Sequence, residues 1–124
     1  MSAALRQATR ERAGNCCEYC GLKQNDSGLS FHVEHVIPRQ HGGATVLENL
    51  ALACPSCNLH KGPNLTGFDP DTGEMCRLFH PRCDVWDQHF HRQREQVMGI
   101  SAIGRTTVWL LVMNSEEQLR LRQE

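Results

Sequence analysis

No run of apolar residues in this 124-residue chain approaches the ~20 needed to cross a bilayer, which excludes a membrane-spanning helix. The opening residues, MSAALRQATRERAG, are charged and lack an apolar core. No secretory leader is therefore expected, and the sequence reads as cytoplasmic. Internal repeats and low-complexity segments are absent. Lysine is scarce: Lys23 and Lys61 stand against eleven arginines. The formal net charge is only −1, so a large basic field does not hold this protein on a nucleic acid. The arginine bias still suits phosphate, because the guanidinium fork matches phosphate oxygens. Aromatic residues make up 6%, and a small domain has few large side chains to spare. Trp86, Phe90 and Trp109 are expected to anchor the core.

Cysteine and histidine are the surplus, seven of each. An odd cysteine count does not close a disulfide framework, and without an export signal clustered cysteines more often hold metal. Cys17 and Cys20 form one C-x-x-C pair, Cys54 and Cys57 another. Two such turns supply four thiolates to one tetrahedral ion, so a structural zinc is expected. Cys16 adjoins Cys17, but the spacing favours Cys17. The 33 residues between the pairs must hold structure of their own.

Residues 3–13 read as a helix ended by Gly14 and Asn15. FHVEHVIP (31–38) and VLENLALA (46–53) read as strands, and Pro55 suits the first turn of a short helix starting near Cys54. GLKQNDSGLS (21–30) reads as loop. Further on, MCRLFHP and REQVMGI read as strands, and DVWDQHF as helical. Ser101 caps a helix running through TTVWLLVMN, and Ser115 opens a last one. The expectation is an α+β fold over residues 1–124 as a single domain. Its motif core is 16–62, and 63–124 packs on it as an α/β extension.

Between and after the cysteines lie Glu34, His35, Asn49 and Asn58. Cutting a phosphodiester needs an activated water, charge neutralisation at the phosphate and help for the leaving oxygen. His35 suits a general base by its near-neutral pKa. Glu34 offers a hard oxygen to magnesium or manganese, and Asn58 a carbonyl oxygen from the following helix. Asn49 can fix the loop that orients His35. Arg39 and Lys61 are the nearest candidates for phosphate contact.

The stretch CEYCG…HVEHVIPRQHGG…ENLALACPSCNLHKG resembles the HNH endonucleases, in the subgroup whose ββα-metal (His-Me finger) core is braced by a four-cysteine zinc. The resemblance covers roughly residues 16–62. It implies a DNA endonuclease with Glu34 and Asn58 as ligands of a catalytic divalent ion, His35 as base and Asn49 as the structural middle letter. It also implies 5′-phosphate and 3′-hydroxyl products. Two departures stand out. Aspartate or histidine is more usual where Glu34 sits, and the third letter is often histidine where this chain has Asn58. His60 is the neighbouring alternative to Asn58, and His32 shares a strand face with Glu34.

On a regular strand Glu34 and His35 face opposite sides, so a shared site requires the strand to bend or end there. Cys76, Cys83, His80 and His89 allow a second zinc, weighed against ordinary core or surface positions. Arg77, Arg82, Arg92, Arg94 and Arg105 are weighed as a DNA surface against plain solvation. A protein partner or a second copy is left open, as is cut-site preference. The rival readings are a non-catalytic zinc module that binds nucleic acid or protein, and a thiol redox sensor.

Overall fold

The computed structural model describes residues 1–123. Helix α1 (Ala3–Ala13) starts where the Ser2 hydroxyl accepts from the Leu5 N–H at 3.1 Å, and it ends at Gly14. Residues read as loop hold one helical turn, α2 (Gln24–Ser27). Strands β1 (His32–His35) and β2 (Leu50–Ala53) pair antiparallel, with Glu34 opposite Ala51 and His35 opposite Leu50. Helix α3 (Pro55–Lys61) follows at once. Cys54 is its N-cap, its sulfur accepting from the Cys57 N–H at 3.4 Å, and Pro55 occupies the first turn, where no N–H is needed. This is the ββα unit.

The second half adds two more antiparallel ribbons. Strands β3 (Thr66–Phe68) and β4 (Met75–Arg77) form one. A helical turn α4 (Trp86–His89) leads into β5 (Phe90–Gln93), which pairs with β6 (Gln96–Gly99). Helices α5 (Ala102–Leu110) and α6 (Glu116–Arg122) finish the chain, each capped by a serine hydroxyl, Ser101 and Ser115. The mixture of helix and strand agrees with the expected α+β class.

Apolar residues of both halves share one core: Tyr19, Leu22, Phe31, Val36 and Leu52 lie with Phe79, Phe90, Val97, Leu111 and Met113. Phe79 stands edge-on to both Tyr19 and Phe90, with ring centroids 6.5 and 5.0 Å away. Polar contacts cross the same boundary. Trp86 Nε1–H donates to the Tyr19 carbonyl at 2.8 Å, and Arg82 pairs with Glu18.

Several boundaries differ from expectation. The first strand stops at His35 because Asn49 takes over the ladder: its carbonyl accepts from Val36 N–H and its side chain from Ile37 N–H, both at 2.9 Å. Residues 47–49 form a single tight turn, so the second strand begins only at Leu50. The helix from Ser101 ends at Leu110 rather than running to Asn114, and Val112 sits at a left-handed φ of 50°. Trp109 is no core anchor. It is 68% exposed, on the side of α5 away from buried Gly104 and Thr107.

Candidate active site and metal cluster

Two C-x-x-C turns bring Cys17, Cys20, Cys54 and Cys57 together, their sulfurs all within 4.8 Å of one another and all four residues buried. Cys20 Sγ and Cys54 Sγ are 3.7 Å apart. A tetrahedral zinc with 2.3 Å bonds to sulfur requires about 3.8 Å between ligands, so the donor set fits that ion. Cys16 lies outside the cluster. Each turn tucks an N–H back onto its first sulfur, Cys20 to Cys17 at 3.5 Å and Cys57 to Cys54 at 3.4 Å. Hydrogen bonds from Cys17, Cys20 and Cys57 hold the Cys54 thiol far below its ordinary range, while burial pushes Cys17 up. Crowded sulfurs of this kind share protons until a cation takes their place. Gln118, from α6, closes the cluster: its Nε2 donates to Cys54 Sγ at 3.5 Å and faces Cys20 Sγ at 3.7 Å.

His35 lies at the end of β1. Its Nε2 is 2.8 Å from Thr45 Oγ1. With the hydroxyl accepting from Nε2–H, the lone pair falls on Nδ1. Partial burial lowers the pKa of the ring, and the charge of exposed Arg39 lowers it further, so the neutral form prevails near pH 7. The loop from Val36 to Glu48 that carries Thr45 and Arg39 is locked by Asn49. Its Nδ2 donates to the carbonyls of Ile37 and Ala44 at 3.0 and 2.9 Å, and its Oδ1 accepts from Ile37 N–H at 2.9 Å. Gly43 is part of the same lock: a Cβ there would lie 1.7 Å from the Ile37 carbonyl oxygen. The Asn49 amide lies against that turn, so any side chain at 43 would force the loop open. Asn49→Ala is expected to lower unfolding stability by roughly 2–3 kcal/mol in urea melts, at about 1 kcal/mol per lost hydrogen bond. It should also reduce whatever chemistry His35 performs.

Glu34 faces the other way, as alternation on a regular strand requires. It is 9% exposed and turned towards α3, where Lys61 Nζ is 3.4 Å from its Oε2. Burial pushes its carboxyl up to about 7, against the opposing pull of Lys61. The Tyr19 hydroxyl also lies towards this carboxylate, yet neither it nor Glu34 Oε1 completes a hydrogen bond with a described residue. Asn58 is half-buried on α3, one turn before Lys61, which places both on the same helix face as seen by β1. The unpartnered Oε1 and the Asn58 amide are oxygen donors of the kind a divalent ion takes. At Oε2 the cation position is filled by Lys61.

Lys61, expected at a phosphate, is placed elsewhere. It is 2% exposed and donates to the Val36 carbonyl at 2.9 Å, so it is the internal counterion of Glu34. His60 is exposed and tied back to the Ser56 carbonyl at 2.8 Å on its own helix. His32 is exposed at the far end of β1. The suggested second metal set does not assemble among the described residues: His80 Nδ1 accepts from Arg82 N–H, and His89 bonds Ser101. Three contributors escaped the sequence reading: Thr45, Tyr19 and Gln118. Thr45 follows the Gly-Gly pair closely, which was the one available signal. Nothing local marks Gln118, which meets the cysteines from 64 residues beyond Cys54.

Residues 17–64 match the HNH endonuclease family. Over 117 residues the chain is 26% identical to the Septu protein PtuB of Bacillus thuringiensis, covering 93% of this chain and 43% of that protein. Over 64 residues it is 38% identical to the SPbeta prophage-derived protein YoqL of Bacillus subtilis (strain 168), named for an HNH endonuclease, covering 44% of this chain and 26% of that protein. The chain thus spans less than half the length of either relative. Similarity to PtuB runs past the family match into the C-terminal extension. No solved structure matches the chain.

Proposed function

We propose that the HNH endonuclease domain at residues 17–64 makes this protein a metal-dependent nuclease that hydrolyses DNA phosphodiester bonds. The observation that carries the reading is the His35 ring: one nitrogen is fixed on Thr45, and burial and Arg39 bias the ring towards the neutral form. His35 Nδ1 takes a proton from water, and the hydroxide attacks phosphorus in line with the bond to the 3′-oxygen. That bond breaks as the new P–O bond forms, the leaving alkoxide is protonated from solvent, and the products carry a 5′-phosphate and a 3′-hydroxyl. Arg39 contacts a phosphate beside the site. Asn49 is a positioning residue, acting through the loop. Glu34 and Asn58 would hold magnesium or manganese, whose chemistry there is neutralisation of charge at the phosphate and at the leaving oxygen; to share that phosphate with His35, the Glu34 carboxylate would have to turn out of its inward pairing with Lys61. The four-cysteine cluster holds zinc and works structurally. All 124 residues act as one unit, with the extension sealing the cluster through Gln118 and gripping the first zinc turn through Arg82 and Trp86. The proposed setting is the cytoplasm, where the thiols stay reduced.

Supercoiled plasmid incubated with the zinc-loaded protein tests this. Nicked or linear product is expected with magnesium or manganese and none after those ions are chelated. Asn58→Ala should raise the ion concentration needed for half-maximal cutting. Folded, zinc-loaded protein that leaves plasmid intact with both ions would sink the nuclease reading and favour a non-catalytic zinc module.

A further inference from the structure

Three of the eleven arginines form ion pairs with carboxylates among the described residues. Arg77 pairs with Asp84, Arg82 with Glu18, and Arg105 with Asp69 and Asp71. Arg92, Arg94 and Arg122 pair with no carboxylate among the described residues, yet they share one recess. It measures about 390 Å³ and lies between the β5–β6 turn and the end of α6, with Glu95 and Gln123 completing its lining. It shares no residue with the His35 site.

Backbone carbonyls hold the Arg92 and Arg122 guanidinium groups in place. Arg92 Nε donates to the Arg94 carbonyl at 2.7 Å and its Nη2 to the Arg122 carbonyl at 3.2 Å. Arg122 is 4% exposed. Its Nε donates to the Glu95 carbonyl at 2.7 Å, and its Nη2 to the Met113 carbonyl and to Asn114 Oδ1. Its Nη1 is buried and has no partner among the described residues. Carbonyls satisfy donors but carry no net charge. A buried cation without a counter-anion is costly. Glu95 lines the recess without pairing to any of the three, so among the described residues no carboxylate offsets the positive charge there. Arg94 turns the hairpin at a left-handed φ of 57° and lines the recess.

We propose that this arginine recess binds a phosphate group, contributed by the backbone of the nucleic acid the protein acts on. Guanidinium forks pair bidentately with non-bridging phosphate oxygens, and Arg92, Arg94 and Arg122 all line this recess. The site is a second, non-cutting contact that fixes the strand relative to His35. Its phosphate source rests on the nuclease reading above.

The test uses binding rather than cutting. Affinity for a labelled duplex is measured by fluorescence anisotropy across a salt series, with full-length protein in a His35→Ala background. Arg92 and Arg94 are exposed, so the double change Arg92→Gln, Arg94→Gln is made without disturbing the core. Affinity should fall about ten-fold, and the slope of log K against log salt should become shallower by about one, the value for one lost phosphate contact. A parallel thermal melt in inorganic phosphate separates the sources. If phosphate raises the melting temperature of the parent and not of the double variant while duplex affinity and slope stay unchanged, the recess takes free phosphate and its nucleic-acid source is overturned. No change in either measurement overturns the site altogether, as does a parent protein that binds no duplex. A slope that shifts as stated, in a protein whose His35-intact form never cuts, keeps this site and sinks the nuclease.

Discussion

Stripping metal from the four-cysteine cluster is expected to unfold both halves of the chain together. Binding of structural zinc contributes on the order of 10–16 kcal/mol in small peptides, which matches or exceeds the ~5–15 kcal/mol net stability of a typical domain. Here the cluster is also a junction. Cys17 and Cys20 lie on a turn held by Glu18 and Tyr19 to Arg82 and Trp86, Cys54 opens α3, and Gln118 reaches in from α6. Loss of the ion leaves four buried thiols repelling or competing for protons at the point where these elements meet. Near- and far-ultraviolet circular dichroism should collapse in step as a strong chelator lowers zinc content, followed by elemental analysis. Cys54→Ser should reproduce the effect. A metal-free protein with unchanged near-ultraviolet signal would show that packing alone suffices.

The second large effect concerns His35. Replacing it with alanine should reduce DNA cutting by about 10²–10⁴-fold, the usual contribution of a positioned general base. Zinc content and the melting transition should stay as they were, since the ring is partly exposed and its one described hydrogen bond is to Thr45. The pH profile gives an independent readout. Burial and then Arg39 disfavour the protonated ring, so its pKa lies below the ordinary histidine value of 6.5. The base is active when neutral. The rate should therefore be on its plateau at pH 7 and fall only as pH drops through that lowered pKa. Arg39→Gln removes a neighbouring positive charge and should move the midpoint up. A variant lacking the imidazole that still cuts at the parental rate, or a midpoint that ignores Arg39, would assign the base elsewhere.

Local rules carried much of this fold. Cysteine spacing located the cluster, serine caps marked α5 and α6, and Pro55 marked the start of α3. The rule that neighbouring strand residues face opposite ways also held, with Glu34 inward and His35 outward. What escaped was decided by long-range partners. A lysine near an active-site motif looks like a phosphate ligand, and only the packing of α3 on β1 turns Lys61 inward to Glu34. Residues 31–38 have strand composition throughout, but the side chain of Asn49 captures Ile37 and ends the pairing. The β5–β6 turn lacks the Asn-Gly or Asp-Gly pair that announces a tight hairpin, with Arg94 taking the left-handed position instead. Gly99 and Gly104, which blur the sequence pattern, are where α5 presses on that hairpin. A Cβ at Gly104 would lie 1.9 Å from the His89 carbonyl oxygen.

The position of Gln118 also orders events in time. A ribosome adding about 5–20 residues per second completes Cys57 several seconds before it reaches Gln118. Throughout that interval the nascent sulfurs have no amide from α6 beside them and stay open to exchange with metal carriers. Docking of α6 puts the amide against Cys54 and Cys20, so exchange of the ion is expected to slow only once the last helix has been made and packed.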